Sequence, residues 1–146
     1  MGTDVSDELR RRVVERAYRV CEYCLVHEDD LFNACEIDHV ISFKHGGKTI
    51  MENLATACFH CNRHKGSDVG SIARTTGEFV RFFNPRTDRW GDHFYVSGGR
   101  IEPLTVIGEA TSRILDFNHP DRMLHRSLLA NMGRYPTTEA LARMKE

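Results

Sequence analysis

The chain has 146 residues, 40% of them hydrophobic and 28% charged. That composition excludes a disordered chain, and no apolar run approaches the roughly 18 residues of a bilayer-crossing helix. Twenty basic against 21 acidic side chains give a net charge of −1, which excludes a basic field over the whole protein and leaves only local patches. One domain is expected over 1–146, divided into an N-terminal helical segment (1–20), a central module (21–70) and a C-terminal extension (71–146). The opening MGTDVSDELRRRVV has no apolar signal core, so a soluble cytoplasmic protein is expected.

Ser6 to Val20 predicts an amphipathic helix. Leu9, Val13, Ala17 and Val20 recur at three- and four-residue spacing, Ser6 is a candidate N-cap, and Asp7 and Glu8 suit the first turn. Arg10, Arg11, Arg12, Arg16 and Arg19 cover the rest as a solvated face.

Next come five cysteines, an odd number, with no secretory signal visible in the sequence, so a disulfide framework is not expected. Four form two C-x-x-C pairs, Cys21/Cys24 and Cys58/Cys61, separated by 33 residues. Two such pairs present four thiolates to one tetrahedral Zn²⁺. The competing readings are buried apolar thiols or a redox pair. Cys35 fits neither pair and reads as a small core residue.

Inside the loop closed by these pairs, Glu36 to Ile41 suits a strand. Lys44-His45-Gly46-Gly47-Lys48 is a turn, and Ala55 to Cys58 a second short strand. The polar stretch Asn62-Arg63-His64-Lys65 opens a helix. Residues 38–65 carry a net charge of +2, against −4 for residues 1–37 and +1 for residues 66–146. Further on, residues 78–83 form an apolar segment ending in the Asn84-Pro85-Arg86 turn. Residues 93–102 form a hairpin about Gly98-Gly99. Helices follow over 107–117 and 120–132, with Pro120 at a first helical position and Gly133 as the stop. A short helix begins after Thr138.

Asp38-His39 at a strand end, Asn53-Leu54 in the following loop, and Asn62 directly after Cys61 with Lys65-Gly66 beyond it, stand in order inside the four-cysteine frame. This segment, about residues 21–66, resembles the HNH endonuclease family, with Asn62 in place of the final histidine. The resemblance implies an α+β fold: a ββα-metal (His-Me finger) nuclease core stapled by the four-cysteine zinc site, with an N-terminal helix and an α/β extension. The run from Phe83 to Phe94 is similar to an extension attached to many bacterial members.

The resemblance further implies hydrolysis of DNA phosphodiester bonds. His39 would be the general base, since an imidazole is neutral near pH 7. Asp38 and Asn62 would hold a catalytic Mg²⁺ or Mn²⁺, being a hard-oxygen pair. Asn53 would fix His39 or its loop. Lys44, Lys48, Arg63 and Lys65 would contact DNA phosphates. Each has a plainer reading: a structural Asp-His pair, a turn asparagine, a helix-start asparagine and a solvated basic face. Arg86, Arg89, Trp90 and His93 would line a DNA groove, or Trp90 and Phe94 would be core anchors, the reading favoured here. The alternative function is a non-catalytic zinc-knuckle module binding nucleic acid or protein. It accounts for the cysteines but not for Asp38-His39, Asn53 and Asn62 in that order. A monomer and a homodimer are both compatible with the sequence.

Overall fold

A computed structural model describes residues 4–144; residues 1–3 and 145–146 of the expected N- and C-terminal segments lie outside the described residues. Helix α1 spans Asp7–Arg16 and is capped by Ser6, whose hydroxyl accepts from the Leu9 N–H at 3.1 Å. It stops four residues earlier than its apolar pattern because Tyr18 and Arg19 adopt positive φ, 54° and 60°, which turns the chain into the first cysteine pair. Val13, Ala17 and Val20 are all buried, as the spacing requires. Arg16 is not solvated: its guanidinium donates to the carbonyls of Met51 and Leu54 at 2.8 and 2.6 Å.

Strands β1 (Glu36–His39) and β2 (Leu54–Ala57) pair antiparallel, with Asp38 opposite Ala55 and His39 opposite Leu54. Helix α2 is Phe59–Lys65. It begins three residues before the expected start because Cys58 is its N-cap, so Cys61 and Asn62 lie within the helix. Between β1 and β2 the loop closes tightly. Gly46 adopts φ +88°, and a Cβ on Gly47 would lie 1.6 Å from the Ile41 carbonyl oxygen. Only glycine allows that approach.

The extension holds two more antiparallel pairs: β3 (Gly70–Ile72) with β4 (Phe79–Arg81), and β5 (Phe94–Ser97) with β6 (Arg100–Pro103). Helix α3 (Trp90–His93) precedes β5; α4 (Val106–Ile114), α5 (Pro120–Asn131) and α6 (Thr138–Met144) follow β6. The fold is thus α+β with small antiparallel sheets. The β3 strand and the α3 turn have no periodic pattern in the sequence, and neither is expected from it. One apolar cluster runs from Val20, Tyr23 and Leu25 through Phe83, Trp90 and Phe94 to Phe117, Leu129 and Tyr135. The extension therefore shares its core with the cysteine knuckles. Trp90 is an anchor in it: its ring is buried and its indole N–H donates to the Tyr23 carbonyl at 2.9 Å.

Candidate metal centre and strand-end site

Each C-x-x-C pair forms a turn that folds a backbone N–H back on its own sulfur. The Cys24 N–H points to Cys21 Sγ at 3.5 Å and the Cys61 N–H to Cys58 Sγ at 3.4 Å. The four sulfurs lie within 4.8 Å of one another and all four residues are buried. Cys24 Sγ and Cys58 Sγ are 3.7 Å apart. A tetrahedron of sulfurs about 2.3 Å from one ion has edges of about 3.8 Å. The donor set and its spacing fit a metal ion of the zinc type. Burial raises the Cys21 and Cys61 thiols, while the hydrogen bonds of the neighbouring cysteines lower Cys24; four thiolates in that space would need a cation to hold them together. Cys35 is buried beside them and its thiol is pushed up by burial, in keeping with an inert core residue.

Sequence reasoning missed the cation already present at this site. Arg122, on α5, is buried, and its Nη2 reaches Cys61 Sγ at 3.1 Å and Cys58 Sγ at 3.7 Å. Its Nη1 donates to the carbonyls of Leu115 and Asp116. Burial works against its charge, but the sulfurs of Cys61, Cys24 and Cys58 outweigh it and raise its pKa. Glu22, inside the first pair, was missed too. It is buried, accepts from the Thr56 N–H at 2.8 Å, and pairs with Arg86 and Arg143. Arg86 is thereby drawn inward and does not line an open groove. No signal in the sequence links these residues, because the partners lie far apart along the chain.

The end of β1 carries the acid-histidine pair. By strand alternation the two side chains part. Asp38 turns inward, with 4% exposure, and accepts from the Tyr23 hydroxyl at 2.6 Å and from Lys65 Nζ at 3.2 Å. Burial pushes the Asp38 carboxyl up, while Lys65 and Tyr23 pull it back. The Tyr23 phenol is raised by burial and by the Asp38 charge. Lys65 is 1% exposed and also donates to the His39 carbonyl at 3.1 Å. It is therefore withdrawn from the basic surface expected of it, while Lys44, Lys48 and Arg63 are exposed. Arg63 lies over the Phe59 ring at 5.6 Å.

His39 is half-buried and its Nε2 meets Thr49 Oγ1 at 2.9 Å. Asn53 does not touch the ring. Its amide donates to the carbonyls of Ile41 and Lys48 and accepts from the Ile41 N–H, all at 2.9 Å, so it holds the loop that follows His39. Asn62 and Lys65, one turn apart on α2, face β1. The Asn62 amide donates to Glu36 at 2.7 Å. The structure therefore sets Asp38 and Asn62 on facing surfaces but gives each another partner, Lys65 with Tyr23 for one and Glu36 for the other.

Two short strands, a crossing helix and four convergent thiols make this a ββα module with a metal-ion site. Residues 21–68, about a third of the chain, match the HNH endonuclease family, so the chain carries an HNH endonuclease domain there. The match points to nuclease-type function. No curated protein and no solved structure matches the chain significantly. No helix among the described residues is long and apolar enough to cross a membrane.

Proposed function

We propose that this protein is a metal-dependent DNA endonuclease with a structural Zn²⁺ on Cys21, Cys24, Cys58 and Cys61. The observation that carries the reading is His39 itself: it stands at the end of β1, inside the HNH match, with its ring held by Thr49. If Thr49 Oγ1 accepts from Nε2–H, Nδ1 is the basic nitrogen. His39 then takes the proton of the water that attacks phosphorus as the bond to the 3′ oxygen breaks. Asn53 fixes the loop behind it, and Lys65 fixes the His39 carbonyl.

Asp38 and Asn62 are the proposed holders of the catalytic divalent cation, and Lys65 Nζ marks a seat of positive charge at the Asp38 carboxylate. Bound there, Mg²⁺ or Mn²⁺ supplies Lewis-acid stabilisation of the phosphate charge. A second assignment has its own support: Glu36 is the carboxylate in contact with Asn62. Weaker Mn²⁺ binding in Glu36→Gln but not in Asp38→Asn would establish Glu36 instead. Lys44, Lys48 and Arg63 supply phosphate contacts.

The experiment is cleavage of supercoiled plasmid with no added metal, Mg²⁺ or Mn²⁺, with His39→Ala in parallel and zinc measured in both. The expected loss is about 10²–10⁴-fold in rate with zinc content unchanged. Unaltered cleavage in the variant would overturn the role given to His39, and no cleavage by the folded, zinc-loaded protein would overturn the nuclease reading in favour of a binding module.

A further inference from the structure

The faces of α2 have different neighbours. Asn62 and Lys65 meet β1, whereas His60 and His64 open on a cleft of about 1050 Å³ between α2, the 29–33 loop and the start of α5. Neither His39 nor Asn53 nor Asn62 lines this cleft. His119 and His125 line it as well, so half of the chain's eight histidines meet there. None of them enters the nuclease chemistry proposed above.

We propose that His60, His64 and Asp116 form a second metal site, for an exchangeable divalent cation of the zinc, nickel or copper type. His60 and His64 are four residues apart on one helix, the spacing at which two imidazoles share a face and one ion. Asp116, in the turn between α4 and α5, comes to them from across the cleft. Its Oδ2 lies 4.0 Å from His64 Nε2, too far for a hydrogen bond. Two ligands about 2.1 Å from one ion stand about 3.0–3.4 Å apart, so His64 and Asp116 need less than about 1 Å of closure, and His60 is brought to the same ion by its spacing on α2. Both side chains are roughly two-fifths exposed, 41% and 43%, and have room to make it.

Two imidazoles and a carboxylate select a borderline transition metal rather than Mg²⁺. The charge of Arg122, which lines the same cleft, is turned to the sulfurs of Cys58 and Cys61 and to two carbonyls. His119 has its Nδ1 engaged by the Asp121 N–H at 3.1 Å. An ion on residues 60, 64 and 116 would tie the nuclease module to the extension, and mass action would make stability rise with its concentration.

The test is Co²⁺ titration of the untagged full chain in excess Mg²⁺, which keeps the cation site proposed on Asp38 and Asn62 filled, read by absorbance. The first equivalent is expected to carry thiolate charge-transfer bands, and a weaker second equivalent to lack them. In the double variant His60→Ala, His64→Ala the second affinity should fall by roughly tenfold or more, with the thiolate bands intact as proof of folding. Asp116→Asn, which keeps a residue tolerant of its positive φ of 54°, should weaken the same equivalent. Saturation of the wild-type protein at the thiolate equivalent would overturn the proposal. So would a second equivalent that survives the double substitution.

Discussion

The HNH module and the extension solve the same problem by opposite means. The module, residues 21–68, places its polar groups close together: two knuckles, a strand-end pair and a short helix. Too small to bury much apolar surface alone, it gathers its chain around four thiols. The extension carries no chemical motif but supplies the aromatic mass of the core, Phe82, Phe83, Trp90, Phe94 and Phe117. It also sends charge back. Arg122 reaches the sulfurs, and Arg86 and Arg143 reach Glu22 inside the first knuckle. Tyr135 adds a hydrogen bond to the Cys24 carbonyl at 2.8 Å. The difference teaches that the module's buried charges are compensated from outside it, so cutting it at residue 68 would leave Glu22 without its arginines.

The widest test of this contrast is removal of the metal. Structural zinc contributes about 10–16 kcal/mol of apparent binding energy in small modules, comparable with the whole stability of a domain. Chelation should therefore unfold module and extension together, seen as one coincident loss of far- and near-ultraviolet circular dichroism. An extension that stays folded would break the shared-core account.

Next in size is Lys65→Met, which strands the buried Asp38 carboxylate. A loss of about 3–5 kcal/mol is expected at neutral pH. The sign with pH follows from the direction of the Asp38 shift. Its folded pKa is raised by burial, so the contribution of the protonated form is complete below the ordinary carboxylate value and fades as pH climbs through the folded value. The variant's deficit should therefore shrink as pH falls, and urea unfolding at a series of pH values would show it. A deficit independent of pH would mean that lost packing, not the charge, dominates.

Arg122→Leu sharpens the link between the two regions. Charge-assisted hydrogen bonds to the sulfurs are worth about 1.5–3 kcal/mol, and the variant should also give up its metal faster to a competing chelator. Unchanged release would confine Arg122 to packing. The smallest effect belongs to the segment outside both regions. Ser6→Ala should cost about 1 kcal/mol through the lost cap of α1, read as a shift of a few degrees in Tm, with cleavage unaffected.

Much of the local structure was legible. The cap at Ser6, the hairpin about Gly98-Gly99, Pro120 at the start of α5 and Gly133 after it are all read from residue types that determine backbone conformation by themselves. The ends were less so. Helix α1 stops early because Tyr18 and Arg19 adopt left-handed backbone, which no propensity favours. Helix α2 starts early because a cysteine serves as its cap. The four thiols of the metal centre were legible as a set, whereas the contacts of the strand-end residues were not. Asn53 grips the loop, one of the two roles expected of it, but Thr49 takes the His39 ring and Lys65 turns from the surface to Asp38.

The sequence by itself determined the four-thiol frame, the strand-end position of Asp38-His39 and the order of the elements other than β3 and α3. These depend on spacing and on local conformational preference, which act over a few residues. Tertiary structure alone decided which charge meets which. Arg122 is 61 residues from Cys61, and Arg143 is 121 from Glu22. A buried charge takes whichever opposite charge the folded core brings within reach, and that is a property of packing that no local pattern encodes.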